Sequence, residues 1–391
     1  MAVSKSSIKK ARFGYTNFKK NMNLNKWRFF FNGVERISGS ETKFFIELEI
    51  LNPWISPSEV LLGFKPRINI SADDLQYALA GTKAAENLVS EQIVQPSYVV
   101  VRIGMIGNSP KQLCAYHSQE EVVCTSKPFS IQVANKVFTD NKLSGFINIS
   151  DEEKQKHPEF FSESGFAKWD LTYEIQKDFS SGYDSKTQVW FPFGIKTVVS
   201  GVVSFDGSDY IIDSRKGFGY TERYWSKAYP EKWFHISSTN LSSLISGKTL
   251  FDSSFAVQGN FEDRISFISD FEGSDIVFTA DSSKRRYSTV FDCIQTPESE
   301  ETDENKLHWS VSINSKLWVI DIDLFCRITD LYNRTLEAPE GNRKVMNVVQ
   351  SGTGIGEIKL FKRVRNDLEQ IEYAKITKAV CEFGHTEEAG L

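Results

Sequence analysis

The stretch Thr42-Lys-Phe-Phe-Ile-Glu-Leu-Glu-Ile-Leu51 decides how the chain is read. Phe44, Ile46, Leu48 and Ile50 fall on one side of an extended segment, and Glu47 and Glu49 fall on the other. Side chains alternate across a strand, so this period of two marks a strand with one apolar face. The pattern recurs in Trp169–Ile175, Leu307–Ile313 and Lys316–Leu324. Slipping any of these strands by one residue would turn its apolar row outward, so their faces are well specified. Further strands are expected at Tyr98–Ile106, Phe129–Phe138, Leu143–Ile149, Val198–Phe205, Trp233–Thr239, Tyr287–Cys293, Glu357–Val364 and Ile371–Glu382. Asp206-Gly207 reads as a hairpin turn, because glycine accepts the positive φ such turns need. Helical signals are sparse. Short helices are expected within Ser71–Gln95 and Asp151–Gly165.

Many evenly spaced strands with few helices define an all-β chain built as sandwiches or barrels. At 391 residues the length suits two domains. Phe191-Pro-Phe-Gly194 punctuates the pattern, giving an expected division into residues 1–194 and 195–391.

Net charge is −5, which offers no field for nucleic acid. Eight Lys or Arg and no acid fall within residues 1–28, a basic arm suited either to contact with an anionic membrane or simply to solvent. The acidic run Glu298–Glu304 reads as a solvated loop. The five cysteines form no CxxC, so neither a disulfide framework nor a zinc site is indicated, and a cytoplasmic setting is expected. No apolar run reaches the ~18 residues of a spanning helix. The five histidines are scattered, and HExxH, P-loop and GxSxG motifs are absent, so no cofactor or metal is expected. Gly352-Thr-Gly-Ile-Gly356 lacks the Lys-Ser/Thr of a phosphate loop and precedes strand-like sequence, so a glycine-rich turn is expected.

The unusual segment is Gly217–Asn240. From Lys216 to His235 it gathers Phe218, Tyr220, Tyr224, Trp225, Tyr229, Trp233 and Phe234 around Glu222 and Arg223. Three readings are open. Glu222 is a carboxylic acid whose pKa an apolar site raises, fit to protonate a substrate. Alternatively it is ion-paired to Arg223 or Lys216, or the segment is a well-packed corner.

Here the sequence resembles the tocopherol cyclase family, related to carotenoid 1,2-hydratase and AttH-like lipocalin proteins. Tyr220, Glu222, Trp225, Pro230, Lys232 and Trp233 match the family's run, while Tyr224, Ser226 and His235 depart from it. The resemblance implies two lipocalin-like antiparallel β-barrel domains, the second carrying the Tyr220–Trp225 motif. It implies a lipophilic, isoprenoid-type ligand held in an aromatic barrel. It also implies acid-catalysed cyclisation or hydration of an alkene, as in an intramolecular lyase or a hydratase. Glu222 would be the catalytic acid, with Tyr220, Arg223, Tyr224, Trp225, Trp233 and His235 around the substrate. A non-catalytic carrier of a lipophilic molecule and an interaction protein with filled barrels are the competing expectations.

Overall fold

Strand pairing divides the chain into two antiparallel sheets. The computed structural model describes residues 22–55, 58–63, 76, 80, 95–158, 160–179, 182–213, 217–260, 264–281, 287–296, 305–341, 344–365 and 367–388. Nearly all of the expected Ser71–Gln95 helical region, the acidic run at 298–304 and the first part of the basic arm lie outside the described residues.

Among the described residues the first sheet has thirteen strands. They are β1 (Leu24–Glu35), β2 (Glu41–Leu51), β3 (Tyr98–Met105), β4 (Lys111–His117), β5 (Val122–Ser126), β6 (Phe129–Val133), β7 (Lys136–Thr139), β8 (Lys142–Ile149), β9 (Gly165–Lys177), β10 (Tyr183–Asp184), β11 (Gln188–Phe205), β12 (Ser208–Ile212) and β13 (Gly219–Ser226). The second has eleven. They are β14 (Lys232–Ser238), β15 (Leu241–Ser243), β16 (Ser254–Asn260), β17 (Arg264–Phe271), β18 (Ser274–Asp281), β19 (Tyr287–Thr296), β20 (Lys306–Ser315), β21 (Trp318–Arg327), β22 (Tyr332–Glu337), β23 (Lys344–Val364) and β24 (Asp367–Glu388). The all-β expectation holds. The helix expected after Ile149 is a short one, α1 (Asp151–Lys156), capped by Ser150 and Glu153. The Asp206-Gly207 turn also forms, with φ values of 46° and 86° between β11 and β12.

Each sheet curls around its own apolar core in a barrel-like manner. Trp27, Phe29 and Phe31 of β1 join Phe44, Ile46 and Leu48 of β2 and Trp169 and Leu171 of β9 in the first core. Phe234, Trp309, Ile322 and Ile358 belong to the second. Phe234 of β14 stacks on Phe291 of β19 at 4.1 Å between ring centroids, which draws the far edge of the second sheet inward. Both interiors are packed with large side chains.

Residues 195–226 belong to the first sheet, and the chain passes to the second between Ser226 and Lys232. Pro-Phe-Gly at 192–194 is therefore not where the sheets divide. It lies inside β11, where the register against β13 shifts between Phe191 and Gly194. Proline has no amide proton for the ladder, and a bulge accommodates it. The Tyr220–Trp225 motif accordingly sits on β13, between β1 and β11 of the first sheet. Gly352–Gly356 is likewise a bulged length of β23.

The outer face of β1, β2, β3 and β13 is covered by the second sheet. Leu24, Phe30, Phe45, Val100, Tyr220 and Tyr224 pack there with Ala256, Ile268 and Val380. Both faces of β1 and β2 are thus buried, and the site forms on this second, inter-sheet face.

Candidate functional site at the seam between the sheets

Strand register writes the site. Glu222 on β13 lies beside Arg28 on β1, Arg28 beside Glu47 on β2, and Glu47 beside Arg102 on β3. The result is a row of alternating charges across four strands. Lys26 lies beside Glu49 in the next row. From the second sheet, Gln258, His235, Glu382 and Gln350 form a facing row across β16, β14, β24 and β23. Opposite charges on directly paired strand positions attract, so the register itself assembles the network.

Arg28 is the hub. Its Nε donates to Glu222 Oε1 at 2.6 Å, and its Nη1 reaches Glu382 of the other sheet. Arg102 Nη1 meets Glu47 at 2.5 Å and Nη2 meets Glu49 at 3.3 Å. Lys26 bonds Glu49 at 2.9 Å. Arg334 bridges Glu47 at 3.3 Å and Glu382 at 3.6 Å. Four acids and four bases thus balance one another, none more than 6% exposed. Buried ions are tolerated only when paired and hydrogen-bonded.

Glu222 accepts two further hydrogen bonds, both 2.6 Å long, from Trp190 Nε1 and the Tyr220 hydroxyl. Burial alone would raise its pKa. Arg28 foremost, then His235, Tyr220 and Trp190, outweigh that and hold it at about 2. The expectation of a carboxylic acid with a raised pKa is therefore not met; Glu222 is an ionised carboxylate. The ion-pair reading names the right kind of contact, and the partner among the described residues is Arg28. Arg28 lies 194 residues away, whereas Arg223 points to the opposite face of β13 and Lys216 lies outside the described residues. Burial, reinforced by the Glu222 charge, pushes the Tyr220 hydroxyl well above its ordinary pKa. Burial pushes His235 down, so this imidazole is neutral at pH 7.

A narrow crevice opens onto the pair. Charged and polar groups of Lys26, Arg28, Glu222, Tyr224, Gln258 and Arg334 line it together with Tyr229, Pro230, Trp233, Leu336, Met346 and Val348. Counting its open mouth it holds about 390 Å³ free of atoms, but only about 20 Å³ is open to the centre of a water. That is room for about one water molecule. The Arg28 guanidinium lies 5.4 Å from the Trp233 ring centre and 5.2 Å from that of Phe30.

Of the expected site residues, the fold brings Tyr220, Glu222, Tyr224, Trp233 and His235 together. His235 Nδ1 is 3.8 Å from Glu222, and its ring centre is 5.3 Å from that of Tyr220. The Tyr224 hydroxyl accepts from Gln188 at 2.8 Å. Arg223 and Trp225 are not part of this group. They point toward the interior of the first sheet, where the Arg223 guanidinium sits 4.3 Å from Trp27 and 4.6 Å from Trp225. Sequence reading missed Arg28, Lys26, Glu47, Glu49, Arg102, Arg334, Glu382 and Trp190. Lys26 and Arg28 were counted in the basic arm, yet both are buried in β1. Their usable signal was the i, i+2 spacing of Lys26 and Arg28, matched by that of Glu47 and Glu49.

Among the described residues no group of His, Cys, Asp and Glu is arranged to hold a metal ion. No described helix is long and apolar enough to cross a membrane.

No protein-family model matches the chain, and no curated protein matches it. Among solved structures it is similar to an AttH-type protein of Nitrosomonas europaea, with 11% identity, a TM-score of 0.46, and 98% of this chain and 96% of that one covered. It is also similar to kievitone hydratase from Nectria haematococca, with 12% identity, a TM-score of 0.44 and coverage of 93% and 89%. A third similar structure is CghA with Sch210972, with 7% identity, a TM-score of 0.43 and coverage of 94% and 90%. At these identities and scores, function has to be argued from the chain's own residues.

Proposed function

We propose that the chain is a binding protein for a small lipophilic molecule with a polar end, taken up in the seam between the sheets. The observation that carries the reading is that the Arg28–Glu222 pair lines one crevice together with Trp233, Leu336, Met346 and Val348. An apolar body fits such walls, and a hydroxyl or carbonyl end fits a carboxylate beside a guanidinium. Large side chains pack both interiors, and the reading therefore places the ligand in the seam and not in a barrel lumen. Because the crevice holds about one water as it stands, a ligand enters only if part of its lining moves aside.

Acid-catalysed cyclisation or hydration of an isoprenoid-type alkene is the second reading. It is favoured by the aromatic surround of Glu222, formed by Tyr220, Trp190 and Trp233. Rings of this kind stabilise a carbocation. For Glu222 to serve as the acid, a bound substrate would have to separate it from Arg28 and let burial raise its pKa.

The test uses a prenylated hydroquinone as probe. Binding is followed by quenching of tryptophan fluorescence, and turnover by mass spectrometry. The binding reading expects saturable quenching, at least tenfold weaker in Trp233→Ala, with the probe recovered unchanged. A cyclised or hydrated product that disappears in Glu222→Gln would establish the second reading instead. Absence of saturable quenching in the native protein overturns both.

A further inference from the structure

At the opposite end of the seam lies a second, larger cavity of about 290 Å³. Its walls come from β1 and β2 on one side and from the bulged parts of β23 and β24 on the other. The glycine-rich stretch forms part of the wall. A Cβ at Gly352 would stand 2.2 Å from the Ile106 carbonyl oxygen, so only glycine allows β23 to approach the end of β3 this closely.

Lys43 enters this cavity on the same face of β2 as Glu47 and Glu49, but unlike Lys26 it meets no carboxylate among the described residues. Its Nζ donates to the Lys378 carbonyl oxygen at 2.5 Å, and the residue is only 7% exposed. Lys378, at φ 54° inside the β24 bulge, lines the same cavity and pairs through its own amine with Glu41. Two more donors in this wall are uncommitted. The Asn32 side-chain amide nitrogen and the Thr42 hydroxyl are buried with no hydrogen-bond partner among the described residues. The lining is therefore rich in donors and carries two amines against one carboxylate.

We propose that this cavity binds a small oxyanion, a carboxylate or a phosphate-type group, with Lys43 as its principal cation and Lys378 as its second. A buried ammonium without a counter-charge is costly, and an incoming anion supplies what the fold withholds. The charged and titratable groups facing Lys43 are Lys378 and Cys381 on β24, with Glu41 held by Lys378. Burial, together with Lys378, lowers the Lys43 pKa to about 7. Only its protonated form attracts an anion, so binding draws a proton onto Lys43 and weakens as pH rises through neutrality.

Isothermal titration calorimetry with sulfate and with acetate tests this. Both probes stay fully ionised from about pH 6.5 to 8.5, so any pH dependence belongs to the protein. Expected is saturable binding at about pH 6.5 that falls roughly tenfold per pH unit above about 7.5. Binding should be lost in Lys43→Met and retained with a flatter pH profile in Lys43→Arg. Sulfate alone would assign a tetrahedral phosphate-type group, and acetate alone a carboxylate. Neither probe binding, or binding independent of pH in the native protein, overturns the proposal without reference to any variant. Retention in a folded Lys43→Met overturns it as well.

Discussion

Glu222→Gln removes one charge from the alternating row while keeping the shape of the side chain. Arg28 then faces a neutral amide on one side and Glu382 on the other. Removing one partner of a buried pair costs about 3–5 kcal/mol, and the surviving Glu382 contact places the expected loss near about 3 kcal/mol at pH 7. Titration gives a similar figure. The Glu222 pKa of about 2, against 4.5 for an ordinary carboxyl, corresponds to about 3 kcal/mol. A carboxyl whose folded pKa lies below its unfolded one adds stability that is full above the unfolded value and lost as pH falls toward the folded value. By pH 3 the native protein should have forfeited about 2 kcal/mol through this group, and the variant has no such loss to make. Urea unfolding at pH 7, 5 and 3, followed by tryptophan fluorescence and circular dichroism, reads the difference. The gap between native protein and variant should shrink from about 3 kcal/mol at pH 7 to about 1 kcal/mol at pH 3. A gap of the same size at both values, or a variant as stable as the native protein at pH 7, would refute the ionised, paired carboxylate.

The other predictions address the neighbours of Glu222 and the backbone that frames them. Arg28→Met should reverse the sign: burial, the largest influence on Glu222, is then opposed only by His235, Tyr220 and Trp190, so the Glu222 pKa rises and stability should increase as pH falls from about 7 to about 5 in urea melts. Tyr220→Phe deletes a hydroxyl that donates to a charged oxygen and should cost about 1.5–3 kcal/mol, whereas Tyr224→Phe, whose hydroxyl meets the neutral Gln188, should cost about 1 kcal/mol in the same assay. Gly356→Ala places a Cβ 1.9 Å from the Asp323 carbonyl oxygen of β21, so it should sharply lower the yield of folded protein, measured as the soluble fraction and the thermal midpoint.

The strands were legible because each carries its own pattern. Trp169–Ile175 and Lys316–Leu324 alternate with a period that only an extended chain satisfies, and β9 and β21 form there. The seam was not legible, for a related reason. Alternation tells which residues share a face, but not what covers that face. Glu47 and Glu49 look like the outward side of a half-buried strand, yet a second sheet lies over them. Lys26 and Arg28 close a run of basic residues that resembles a solvated arm, and the partners of Arg28, Glu222 and Glu382, lie 194 and 354 residues away. Nothing local encodes such pairings. Pro192 and Gly194 show the opposite case: their local chemistry interrupts a strand pattern, and a bulge absorbs the interruption inside β11. The aromatic density around Glu222 is local and legible, whereas its ion partner Arg28 lies on the neighbouring strand β1 but 194 residues away in the chain.

The most direct test is the carboxyl titration of Glu222. The protein is labelled with ¹³C at the glutamate side-chain carboxyl, and the Glu222 signal is assigned by its disappearance in Glu222→Gln. This account expects the signal to stay at its ionised position from neutral pH down to about pH 3.5, beyond the range where ordinary glutamates have begun to protonate. A Glu222 signal that titrates at or above about pH 5 would contradict it, and would return the residue to the role of a protonated acid.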